Sequence, residues 1–132
     1  MKLATDFLIT SLKSNLIFKE KFGDRIWDRN DIPENPKNPY MFLFLVSSKE
    51  KTELVTGHTS IFEEEYQLSI VCKGKEFGEL TQIEIVKFIN DEIILNDNVY
   101  DVSIIDLVPS EPRDNQGLLQ YSVRIRIFSK IY

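Results

Sequence analysis

The sequence predicts an α+β fold: a single domain in which two α-helices pack on one face of a mainly antiparallel β-sheet. Three observations carry this. Two stretches repeat apolar residues at three- and four-residue spacing, several others alternate apolar and polar residues, and no repeat, linker or low-complexity tract divides the 132 residues. Amphipathic helices and one-faced strands bury their apolar sides most simply against each other. A chain of this length can close one core without disulfide or metal staples, so residues 1–132 read as one domain.

Taken in order, the first element is a helix over about Ala4–Lys19. Leu8, Leu12 and Leu16 fall four apart with Phe7 beside them, Thr5 or Asp6 can cap the start, and Gly23 follows the end. A short extended piece, Asp24–Asp28, brings Ile26 and Trp27, with a core position favoured for Trp27. The arm RNDIPENPKNP then carries Pro33, Pro36 and Pro39 into an apolar run, Tyr40–Val46. Each proline fixes its own φ, offers no N–H and biases its predecessor to extended geometry. The run itself is too short to cross a bilayer and the right length for a strand buried on both faces.

SSKEK is expected to end that strand, TELVTG to form a short strand and GHTS to turn. The next strand alternates Tyr66, Leu68, Ile70 and Cys72 against Gln67, Ser69, Val71 and Lys73. A second helix is expected over about Glu79–Leu95, its stripe made by Leu80, Ile83, Val86, Ile89 and Ile93, stopped by Asn96–Asn98. Strands over Val99–Val108 and Leu119–Ile131 complete the chain, separated by a loop at 109–117. In the last strand Leu119, Tyr121, Val123, Ile125 and Ile127 share one face, with Gln120, Ser122, Arg124, Arg126 and Phe128 on the other.

Composition excludes several classes of function. A formal charge of −5 argues against a general nucleic-acid binder, which needs clustered Lys and Arg. One cysteine permits neither an internal disulfide nor a multi-cysteine zinc site. No N-terminal segment joins a basic start, an apolar run and a small-residue cleavage site, so the chain is expected in the cytosol, with no membrane partner.

Nothing resembles a catalytic constellation, and neither catalysis nor a cofactor or metal is expected. His58 falls in a turn with no identifiable carboxylate or nucleophile beside it. Cys72 lies on an apolar strand face, where a thiol is a small core hydrophobe. Glu63, Glu64 and Glu65 alternate across a strand and read as a solvated strand end. GKEFGE lacks the spacing and ending of a phosphate-binding loop. The remaining features are contact elements: the proline arm with Pro33, Pro36 and Pro39; the hairpin with Lys49, Glu50, Lys51 and His58; Arg113 in the 109–117 loop; and Arg124 and Arg126, side by side on a polar strand face.

The succession ATDFLITSLKSNLIFKEKFGDRIWD, DIPENPKNPYMFLFLV, FEEEYQLSIVCKG and LTQIEIVKFINDEI resembles the tail-completion or tail-terminator proteins of long-tailed bacteriophages. In that family a short helix ends near a pair like Arg25-Ile26, and a proline-rich arm enters a strand through Pro-Tyr, as at Pro39-Tyr40. The resemblance spans nearly the whole chain, through soft motifs and element order. It implies a structural role: a homo-oligomeric ring, commonly a hexamer, that caps the tail tube, stops its polymerisation and joins the head connector. The implied partners are other copies of the chain, the tail-tube protein and the connector or stopper protein, with DNA only passing through the lumen. The implied location is the virion neck, after assembly in the host bacterial cytoplasm. Ring closure requires two different surfaces per subunit, for which the hairpin at 47–60 and the Arg124/Arg126 face are the candidates. Two alternative readings are another neck protein, such as a head-completion or connector-stopper protein, and a small cytosolic adaptor or inhibitor of a host protein.

Overall fold

The computed structural model describes residues 2–50, 60–113 and 117–131. Helices α1 (Lys2–Ser14) and α2 (Leu16–Phe22) lead into β1 (Ile26–Asp28), a 3₁₀ turn at Arg29–Asp31 and β2 (Tyr40–Glu50). Then follow β3 (Ser60–Cys72), α3 (Lys75–Lys87), a π-helical turn at Phe88–Glu92, β4 (Val99–Pro112) and β5 (Leu119–Ile131). The five strands form one sheet in the order β1-β2-β3-β5-β4, in which only the β1–β2 pair is parallel. All three helices cover the same face of that sheet, as the α+β reading requires.

The first helix is broken where the sequence predicted continuity. Asn15 adopts an extended backbone, and its side-chain oxygen accepts from the N–H groups of Ile17 and Phe18, so it caps a new helix. The restart shifts the helical phase. Leu8 and Leu12 stay in the core, but Leu16 is 68% exposed and Phe18 and Phe22 are buried instead. Gly23, at φ +58°, ends α2 as expected, its N–H donating to Lys19.

The second helix departs further. It begins at Lys75, and its regular part ends at Lys87 rather than Leu95. Its buried positions are Gly78, Thr81, Gln82 and Ile85, continued by Phe88 and Ile89, while Leu80 and Ile83 of the expected stripe are 50% and 63% exposed. The reason is close approach. A Cβ on Gly78 would stand 2.1 Å from ring carbons of Tyr121, so the helix backbone lies almost on that ring. At such a separation small and polar side chains fit where leucine does not. Thr81 donates to Phe77 O and accepts from Lys21 Nζ, and the Gln82 amide donates to the carbonyls of Val108 and Ser122. Beyond Lys87, the Ile93 N–H reaches Phe88 O, a wider turn that puts Phe88 and Ile89 both inward.

The strands follow their alternation closely. Met41, Leu43, Tyr66, Leu68, Ile70, Cys72, Tyr121, Val123, Ile125 and Ile127 form the helix-covered core with Ala4, Leu8, Leu12, Ile85 and Phe88. Two boundaries are corrected. β2 continues through Ser47–Glu50, paired with Glu65–Phe62 after a bulge at Val46. β4 continues to Pro112, so the first part of the expected 109–117 loop is strand, and beyond it Arg113 N–H donates to Leu118 O. The acidic run is not a solvated end either: Glu64 is fully buried and accepts from the Tyr66 hydroxyl, while Glu63 and Glu65 pair with Arg126.

Candidate functional site

Strand parity gives the sheet a second face that no helix covers. Along its β1–β2 margin stand Trp27, Tyr40, Phe42 and Phe44, with successive ring centroids 5.7, 6.4 and 6.2 Å apart. These rings are why Tyr40–Leu43 reads as buried on both faces: Met41 and Leu43 enter the main core, while Tyr40, Phe42 and Val71 form a smaller cluster opposite. The proline arm is held against this cluster. Ile32 packs on it, Arg25 Nε donates to Pro39 O at 2.9 Å, and the Arg29 guanidinium lies 4.2 Å from the Phe44 centroid. Arg113 approaches Phe42 from the far side at 5.5 Å and also bonds Gln120. Trp27, expected in the core, is half-buried and belongs to this second cluster.

The centre of the same face is polar and hydrogen-bonded. Ser69 and Ser122 are buried, 2.9 Å apart across β3 and β5. Gln67 donates to both hydroxyls, and Gln120 donates to Ser69. The Gln67 and Gln120 amides thereby satisfy the hydroxyls of the two buried serines. Farther along, Arg126 pairs with Glu63 at 3.3 Å and Glu65 at 3.8 Å within its own chain. Arg124 is exposed and has no ion pair among the described residues. Because β5 is an interior strand, both arginines stand mid-face rather than at a margin.

The other sequence-derived contact residues are dispersed. Pro33 is exposed, Pro36 and Pro39 are half-buried, and Lys49 and Glu50 are exposed on the distal part of β2. Lys51, His58 and the short strand expected over 52–57 lie outside the described residues. Sequence reasoning missed the four-ring ladder and the serine–glutamine network. The signal for the ladder was the alternation of Tyr40, Phe42 and Phe44, which was read only as part of a strand buried on both faces.

The titratable groups here serve the core. Burial pushes the Tyr66 phenol up to about 12; the Thr5 hydrogen bond opposes the rise and Glu64 adds to it. Burial also raises the Cys72 thiol, although a hydrogen bond with the Gly74 backbone and the charge of Lys21 act against this. A thiol held protonated and buried is a poor nucleophile. An open depression of about 300 Å³ lies between α1 and the π-helical turn, lined by Thr10, Ser11, Ser14, Asn15, Phe88, Glu92 and Ile94. Among the described residues no three His, Cys, Asp or Glu side chains converge to hold a metal, and no helix is long and apolar enough to cross a membrane.

The fold therefore defines an α+β domain with a helix-covered face, a polar-aromatic open face and two sheet margins. No protein-family model matches the sequence, and no curated protein matches it. Among solved structures, the fold is similar to a chain described as "Virion of native gene transfer agent (GTA) particle". The TM-score is 0.72 at 9% identity, covering 92% of this chain and 90% of that one.

Proposed function

We propose that this chain is a non-catalytic structural subunit of a phage-like particle, acting as a ring that caps the tail tube and joins it to the head connector. The observation that carries this reading is the end-to-end fold likeness to a chain of a gene transfer agent virion. It covers both chains almost completely, so it concerns the whole architecture rather than one shared supersecondary unit. The tail-terminator element order in the sequence supports the finer assignment: helix, proline arm entering a strand through Pro39-Tyr40, long strand, helix and closing strand pair. The side chains support a scaffold as well. The arm is tied to the sheet through Arg25 and Ile32, so it loses little conformational entropy when a neighbour docks on it.

The test is to mix the purified protein with tail-tube protein from the same genome during tube growth. Capping at substoichiometric amounts, with shortened tubes and extra density at one end in electron micrographs, is the expected result. Tubes of unchanged length and undecorated ends would overturn the capping role. Binding to the connector protein instead would move the assignment to another neck component.

A further inference from the structure

The sheet has two unpaired backbone margins, and they match. On one side β1 covers β2 only at Met41–Leu43, leaving the outer edge of Phe44–Glu50 without a strand among the described residues. On the other side no strand among the described residues pairs with the outer edge of β4. An open edge displays a row of unmade backbone hydrogen bonds. The protections usual at such edges are incomplete: β4 has prolines at 109 and 112 but no lysine, and Leu45, Val46, Ile105 and Leu107 are exposed along the two margins.

From these margins we infer that the chain assembles head to tail with further copies of itself, β4 of one subunit pairing antiparallel with residues 44–50 of the next. Following the pairings across the sheet, β2 and β4 run in opposite directions, so a second copy in the same orientation presents its β2 antiparallel to β4. Register can be derived. The rows Phe44–Gln67–Arg124–Asp106, Leu45–Tyr66–Ile125–Ile104, Ser47–Glu65–Arg126–Ser103 and Lys49–Glu63–Phe128–Asp101 cross the sheet at successive levels. A closed ring with its strands along the axis joins like levels without stagger. A one-residue slip would instead put the helix-side residues of one margin on the open face of the next.

In that register the two bulges flank one level: Val46 lies on the Glu65 side and Ile105 on the Gln67 side of the Leu45–Tyr66–Ile125–Ile104 row, each an extra, exposed, apolar residue. Leu45 meets Ile104 on the helix side. On the open face, Lys49 meets Asp101, and Arg29, stacked on Phe44, meets Asp106. Among the described residues neither Lys49, Asp101 nor Asp106 has an ion pair within its own chain. One choice of register thus matches faces and two opposite-charge contacts. The inference deepens the ring reading and rests on it only for closure; strand pairing itself does not require a tail.

The test places cysteines across the junction, Ser47→Cys with Ser103→Cys, and treats the concentrated protein alone with a short bifunctional thiol reagent. A ladder of linked subunits in the double variant, absent from each single variant, is the expected result. No ladder would overturn the inference, whether or not light scattering finds oligomers; oligomers without a ladder would mean that a ring forms through other surfaces. A ladder from a protein that fails to cap tubes would keep the junction and remove the tail role. Independently, Lys49→Glu and Asp101→Lys should each lower the self-association constant about fivefold and largely restore it when combined. Loss without restoration in the combination would overturn the register.

Discussion

The two faces of one sheet are built from the same strands and are held together by different physics. On the helix side, β3 and β5 present Tyr66, Leu68, Ile70, Tyr121, Val123 and Ile125 to the helices, and stability comes from apolar burial and tight packing. On the other side, the same strands present Gln67, Ser69, Gln120, Ser122 and Arg126, whose hydrogen bonds and ion pairs are made within the sheet. The difference teaches where tolerance lies. The covered face constrains shape, while the open face constrains polar partners and leaves its margins available to a neighbour.

The sharpest way to break this comparison is a leucine contrast on the covered side. Leu12→Ala should cost about 2–5 kcal/mol, whereas Leu16→Ala, four residues on but exposed, should cost less than about 0.5 kcal/mol. Urea unfolding of the two variants checks this, and equal losses would mean that the Asn15 break does not exist in solution. Gly78→Ala should cost about 3 kcal/mol despite the better helix propensity of alanine, because its methyl would enter the Tyr121 ring. Adding Tyr121→Leu should make the alanine far better tolerated, which a double-mutant cycle measures.

A pH titration probes the covered side more gently. Tyr66 ionises near pH 10 when unfolded and at about 12 when folded, so the unfolded chain loses its proton first. The associated stability is intact below pH 10 and is lost as pH rises toward 12, to a total of roughly 2–3 kcal/mol. Tyr66→Phe should flatten the stability curve in that window, and an unchanged alkaline transition would show that another group drives it. On the open face the expected effect is small. Arg126 is 39% exposed, so Arg126→Ala should cost less than about 1 kcal/mol, with the difference shrinking in high salt. A larger, salt-insensitive loss would mean that the open face carries more of the folding energy than its ion pairs account for.

Several features of the site were legible in residue order because they depend on local rules. Alternation in Leu119–Ile131 gave the inward set Tyr121, Val123, Ile125 and Ile127, all buried. Proline and apolar content around Pro39-Tyr40 predicted an arm entering a doubly buried strand. The serine–glutamine network and the paired margins were not legible, since cross-strand neighbours such as Ser69 and Ser122 lie 53 residues apart. Strand order, not sequence order, brings them together.

What the sequence determined by itself was the α+β class, the strand faces and the Gly23 stop, each set by periodicity or by backbone freedom within a few residues. The tertiary structure decided which side of each helix is inside. Asn15 resets the phase of the first helix by capping a second, and Tyr121 draws α3 so close at Gly78 that Thr81 and Gln82 face inward while Leu80 and Ile83 face out. A hydrophobic pattern ranks residues by their affinity for water. The interface selected by size and hydrogen-bond partners, which only the packed neighbour could supply.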